Sequence, residues 1–150
     1  MTFKLSERSL MNLRGVDDRL VKVVQRAIEI TKVDFGVIEG LRTVDRQREL
    51  VAQGASQTMN SKHVEGKAVD LMAYIGPRAS WELNLYDDIA DAIKTAAIEQ
   101  DVSLRWGGAW QVTDIRKWQG TMASAMNAYI DERRAQKRRP FIDGPHFELS

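Results

Sequence analysis

The chain contains only two histidines, His63 and His146, and each lies beside carboxylates in a pattern that can hold a metal ion. His63 sits in Ser61-Lys62-His63-Val64-Glu65-Gly66-Lys67-Ala68-Val69-Asp70. If Asp70 falls on a strand, Val69 and Leu71 point one way and Ala68, Asp70 and Met72 the other. A carboxylate flanked by core-facing apolar residues needs a partner, and a cation is one. His146 sits in Asp143-Gly144-Pro145-His146-Phe147-Glu148-Leu149, where His146 and Glu148 share a strand face and Phe147 and Leu149 take the opposite one. Two imidazoles and a carboxylate suit catalytic zinc, which keeps a fourth position for water and lowers its pKa toward ~7. Asp143, three residues before His146, is a candidate general base. An odd separation would put the two on opposite faces of a regular strand, but Gly144-Pro145 breaks the strand, and a turn there can bring both side chains to one site. Composition and spacing leave a second reading open, in which both histidines are structural.

These residues need elements to hold them. Val16, Leu20, Val23, Val24, Ala27, Ile28 and Thr31 fall on one face of a helix over 16–31. Residues 34–41 read as a short strand, 44–53 as a helix ended by Gly54, and 55–67 as a polar loop. A strand over 68–75 is stopped by Gly76-Pro77. The longest helix covers 81–100, with Leu85, Ile89, Ala92, Ile93, Ala96 and Ala97 inward. A short strand at 104–106, a helical stretch over about 114–136 and a last strand at 145–149 complete the chain. Helices and strands mix without a regular βαβ rhythm, so the expected class is α+β.

At 150 residues the chain is expected to be a single domain. Its 43% hydrophobic and 29% charged residues are ordinary for a globular protein, and a net charge of +1 supplies no general attraction to nucleic acid or membrane. With no cysteine, disulfides and thiolate metal sites are excluded. The first residues lack the apolar run of a secretory signal, and no segment reaches the ~20 apolar residues that span a bilayer. The expectation is a product made in the cytoplasm, with no membrane insertion, that needs another protein's help to reach anything outside the membrane.

Ser61 to Asp70 resembles, at every fixed position, the S-x-H-x-x-G-x-A-x-D motif of the zinc peptidases that include VanY-type D-alanyl-D-alanine carboxypeptidases. Pro145-His146-Phe147-Glu148 is similar to that family's second metal motif, with an acid three positions before the histidine. Glu39-Gly40-Leu41-Arg42-Thr43 followed by Gln47 and Leu50 resembles its G-x-R-[ST]-x-x-x-Q-x-x-L segment, and Leu104-Arg105-Trp106-Gly107-Gly108-Ala109-Trp110 its W-G-G-D-W segment. Ala109 stands where the family usually has an acid. Size and the absence of a separate wall-binding domain look most like phage endolysins of the L-alanyl-D-glutamate peptidase type.

The resemblance implies a small antiparallel sheet packed with helices, of the hedgehog and D-Ala-D-Ala peptidase kind, with one Zn²⁺ in a cleft over the sheet. It implies His63, Asp70 and His146 as ligands, Asp143 as general base, and Arg42 as holder of the oxyanion or of a substrate carboxylate. Ser61, Gln47 and Trp106 are candidate substrate contacts, although Ser61 and Gln47 can equally brace the loop, and Trp106 and Trp110 can equally be core. Glu148 can orient a ligand histidine. The expected partner is the peptidoglycan stem peptide, cut at L-alanyl-D-glutamate by a monomer acting on the wall after another protein permeabilises the membrane. A D-alanyl-D-alanine carboxypeptidase and a catalytically idle zinc module are the rival readings. The run Arg133, Arg134, Lys137, Arg138, Arg139 reads either as a solvated helix end or as an anchor for an anionic polymer. No nucleic-acid module is recognisable beside it.

Overall fold

The computed structural model describes residues 2–150. Its helices are α1 (Glu7–Asn12), α2 (Asp18–Ile30), α3 (Val44–Ala52), α4 (Leu83–Gln100) and α5 (Met122–Ala135). Its strands are β1 (Asp34–Glu39), β2 (Ala68–Ile75), β3 (Arg78–Ser80), β4 (Leu104–Trp106) and β5 (His146–Leu149). The strands form one sheet of order β1-β2-β5-β4, with β3 paired to β2, and every pairing is antiparallel. The α+β class expected from the sequence is the one observed.

The sheet divides its faces by alternation. Val69, Leu71 and Ala73 of β2 and Phe147 and Leu149 of β5 are buried. Val69 pairs with Phe147 and Phe147 with Trp106, so one row of the core face runs across three strands. The helices cover this face. Leu20, Val23, Val24, Ala27 and Ile28 of α2 meet α4, whose Ala90, Ala96 and Ala97 let the two helix axes approach. Each large apolar side chain so buried contributes roughly 1.5–3 kcal/mol. Tyr86 of α4 reaches the sheet: its hydroxyl accepts from Ala73 N at 3.1 Å and donates to Ser80 O at 2.8 Å.

The opposite face carries the polar residues. Glu39 pairs with Asp70 and Asp70 with His146, and in the next row Ala68 pairs with Glu148 and Glu148 with Arg105. Glu39 reaches its place because β1 bulges between Val37 and Glu39, shifting the register by one residue. Gly40 follows, at a point where a Cβ would lie 2.1 Å from Asn12 O.

Two expectations change, and two elements, α1 and β3, are additions. The helical stretch over 114–136 is two pieces, a 3₁₀ turn at Ile115–Lys117 capped by Asp114 and α5 capped by Thr121. Gly120, at φ +135°, breaks the chain between them. Gly76-Pro77 ends β2 at Ile75 as expected and also turns the chain into β3: Ile75 pairs with Arg78, and Gly76 at φ +58° supplies the first central position of a two-residue hairpin loop. Helix α1 has only six residues, too few to show a period, and is held by its Ser6 cap and by Ser9, whose hydroxyl accepts from Val37 N. The long helix begins at Leu83 rather than at 81. Among the described residues, no helix is long and apolar enough to cross a membrane.

Candidate active site

His63, Asp70 and His146 come together, with one ligand-capable atom from each lying within 4.8 Å of the others. His63 Nε2 and His146 Nδ1 both stand 3.2 Å from the same oxygen, Asp70 Oδ1. Ligand atoms around a tetrahedral ion with bonds of ~2.0–2.1 Å are about 3.3 Å apart, so these separations fit a single zinc-sized ion. The far nitrogen of each ring is held. His63 Nδ1 donates to Gly40 O at 2.9 Å, and His146 Nε2 donates to Glu148 Oε1 at 2.8 Å. Such bonds select the tautomer that presents the other nitrogen to a metal.

The backbone fixes this arrangement from several directions. Asp70 and His146 are direct partners across β2 and β5. His63 precedes β2 in a turn braced by Ser61, whose hydroxyl accepts from His63 N at 3.2 Å, and His63 O accepts from Arg42 N at 2.9 Å. Gly66 closes that turn at φ +70°, where a Cβ would lie 2.6 Å from Gly15 O. His146 N donates to Asp143 O at 3.0 Å, so residues 143–146 form a turn, and Asp143 and His146 line the same cleft. Gly107, just past β4, clamps this turn through Asp143 N to Gly107 O at 2.8 Å and Gly107 N to His146 O at 2.9 Å. A Cβ at Gly107 would lie 2.2 Å from Asp143 O, so only glycine permits that approach.

The cleft has a volume of about 560 Å³ and holds four carboxylates: Glu39, Asp70, Asp143 and Glu148. Burial alone would raise the Asp70 pKa, but the bonds to His146 and His63 outweigh it and hold the carboxyl well below the usual range. Burial would likewise lower His146, yet its bonds to Asp70 and Glu148 lift it to about 9. Asp143 is pushed upward, first by burial and then by the charge of Asp70. Glu148 is lowered: its bond to His146 outweighs burial, and the nearby charges of Arg105 and Lys62 add to the effect.

Arg42 also lines the cleft, in a connected chain of side chains. Its guanidinium grips Glu39 at 2.7 and 2.6 Å, donates to Gln47 Oε1 at 2.8 Å and lies 3.8 Å from Asp70 Oδ2. Gln47 is fully buried and does not line the cleft; its amide donates to Ser56 Oγ at 2.8 Å and Thr58 O at 2.6 Å. It therefore braces Arg42 and the loop from behind instead of contacting substrate. Trp106 is also no cleft residue. It is 0% exposed, stacks on Phe147 and donates from its indole to Gly144 O at 2.7 Å, so it supports the 143–146 turn from the core. Trp110 is the cleft tryptophan, its ring 5.5 Å from His146 and stacked on the exposed Phe141. Ala109 is buried.

Glu39 and Arg105 are cleft residues to which the sequence attached no role. The available signal for Glu39 was its place three residues before Arg42, and for Arg105 its alternation with Trp106. The basic run lies where α5 ends; Arg134, Lys137, Arg138 and Arg139 are exposed, Arg133 lies 6.0 Å over Tyr129, and none of them lines the cleft.

Fold and site together define a small α+β domain with a His-Asp-His group, able to hold a metal ion, on the floor of an open cleft. The chain belongs to the phage L-alanyl-D-glutamate peptidase family, whose sequence model matches residues 1–150. It is 31% identical to the L-alanyl-D-glutamate peptidase of Escherichia phage T5 over 153 residues, spanning 99% of both chains. It is 28% identical over 113 residues to the L-alanyl-D-glutamate peptidase of Listeria phage A118, spanning 73% of this chain and 39% of that one. Among solved structures, the Serratia marcescens L-Ala D-Glu endopeptidase ChiX superposes with a TM-score of 0.74 at 36% identity, spanning 99% of this chain and 90% of that one.

Proposed function

We propose that this chain is a zinc-dependent endopeptidase that hydrolyses the L-alanyl-D-glutamate bond of peptidoglycan stem peptides. His63, Asp70 and His146 hold one Zn²⁺. The observation that carries this reading is the convergence of two imidazole nitrogens on one carboxylate oxygen, with both far nitrogens already bonded. Family membership and relatives named for that bond support the substrate. Bound zinc supplies a Lewis acid that polarises the scissile carbonyl and acidifies a water at its open position.

Asp143, half-buried and held above the usual carboxylate range by burial, takes the proton from the attacking water and returns it to the leaving amine. Arg42 keeps two of its five N–H bonds outside its pairs with Glu39 and Gln47 and holds the developing oxyanion. Gln47 and Trp106 are positioning residues, acting through Arg42 and the 143–146 turn. Ser61 braces His63 at the cleft edge. The protein works as a single-domain monomer on the wall, once another protein has opened the membrane.

The test joins metal content to product identity. Elemental analysis should find about one zinc per chain, lost together with activity in His63→Ala and His146→Ala. Mass spectrometry of digested peptidoglycan should show new alanine carboxyl and glutamate amino termini. Full zinc retention in both variants removes the metal site, release of terminal alanine alone establishes a carboxypeptidase, and zinc without any cleavage establishes an idle module.

A further inference from the structure

Three cations line the cleft, and they differ in what they hold. Arg42 is committed to Glu39 and Gln47. Arg105 donates from Nε at 2.8 Å, and from Nη2, to the carbonyl of Trp110, and its guanidinium lies 5.3 Å over that residue's ring. Among the described residues, no carboxylate comes within ion-pair distance of Arg105 or of Lys62. Arg105 is half-buried, so its charge is partly shielded from water and still unpaired. The carbonyl fixes one edge of the fork and leaves Nη1 and one Nη2 proton free, the donor pair that grips a carboxylate end-on. The Trp110 ring touches both Arg105 and the His146 ring, placing this fork one aromatic ring away from the proposed metal ligands.

The chemistry of the bond says what such a fork meets. Glutamate has two carboxyl groups, and only one can carry the peptide onward. The residue whose amine is released therefore bears a second carboxyl, either free or amidated. We infer that Arg105 selects stem peptides in which that second carboxyl is a free carboxylate, an inference that rests on the L-alanyl-D-glutamate reading above. Arg105 is then a specificity-determining residue on the leaving-group side of the cleft. Lys62, on a flexible stem, adds positive potential without a fixed geometry.

Two soluble stem peptides test this, identical except that the glutamate's second carboxyl is a carboxylate in one and a carboxamide in the other. Their glutamate-initiated fragments are also titrated calorimetrically into the zinc-loaded protein, which needs no turnover. The wild type should bind the acid fragment about 10- to 100-fold more tightly than the amide, the usual scale of a charge-assisted pair. It should cleave the acid peptide with the lower KM and a similar kcat. Arg105→Gln should lose this preference by weakening on the acid alone, with its zinc content retained, and Arg105→Lys should restore part of it. Equal treatment of acid and amide by the wild type overturns the inference, and so does a preference that survives in Arg105→Gln but is lost in Lys62→Gln. If neither peptide is cut between alanine and glutamate and neither fragment binds, the parent reading has failed and the inference falls with it; cleavage of both at equal KM refutes the inference alone.

Discussion

Gln47→Ala is the perturbation that most directly separates positioning from substrate contact. The side chain is fully buried and makes three bonds: it accepts from Arg42 Nη1 and donates to Ser56 Oγ and Thr58 O. Ser56 and Thr58 are nearer solvent, and the Ser56 hydroxyl also reaches Thr58 O at 3.2 Å, so both recover partners cheaply. Arg42 does not, because its side chain is only 9% exposed. The loss should therefore be dominated by one bond to a charged group, about 2–3 kcal/mol. With a urea dependence of roughly 2 kcal/mol per molar, that is a fall of about 1 M in the unfolding midpoint. Zinc content should not change, because no ligand is touched. Turnover should drop about 10- to 100-fold, the scale on which a misplaced oxyanion group acts. Gln47→Glu is the informative companion. Its carboxylate still accepts from Arg42 but faces the Thr58 carbonyl that the amide had bonded at 2.6 Å. It should lose comparable stability while keeping turnover much nearer wild type. A Gln47→Ala protein with unchanged midpoint and reduced affinity for soluble stem peptide would refute this reasoning and restore Gln47 as a substrate contact.

Asp143→Asn removes a base without removing a ligand, so zinc should stay at about one per chain while turnover falls at least ~100-fold; loss of zinc would make Asp143 a ligand. Metal uptake should also be linked to protons. In the metal-free protein His146, lifted to about 9, is protonated at pH 7, and zinc must displace that proton. Calorimetry in buffers of different ionisation enthalpy should register about one proton released per zinc at pH 7, and none would contradict the Asp70-His146-Glu148 arrangement. The same shift is a raised folded-state pKa, so the stability it gives the metal-free protein is full below pH ~6.5 and is lost as pH rises through 9.

What the sequence disclosed was whatever depends on short-range pattern. The periods of α2 and α4 and the alternation of β2 and β5 are local, and they already put Asp70, His146 and Glu148 on the face opposite Phe147 and Leu149. With two histidines in the chain, little choice of imidazole remained. The legible part stopped where the answer depended on pairing between distant strands. Trp106 is core because it pairs with Phe147, and Arg105 is a cleft residue because it pairs with Glu148; neither fact is present in residues 104–110 alone. The Glu39-Arg42-Gln47 chain needs both the β1 bulge and the placement of α3. The break at Gly120 rests on a φ of +135°, a conformation that glycine permits but that its presence in the sequence does not dictate.

Strand β5 joins β2 to β4, although it follows both by dozens of residues, and it carries a proposed ligand. During synthesis, at roughly 5–20 residues per second, β2 and β4 must wait for it with their facing edges open. Asp70 meets His146 only across a sequence separation of 76, and Glu148 reaches Arg105 only in the same step. Closure of the sheet, assembly of the His63-Asp70-His146 group and formation of the cleft floor therefore all wait on the same four residues, 146–149. A chain that lacks residues 146–149 has neither a joined sheet nor a complete His63-Asp70-His146 group, so one short strand couples the fold to the cleft.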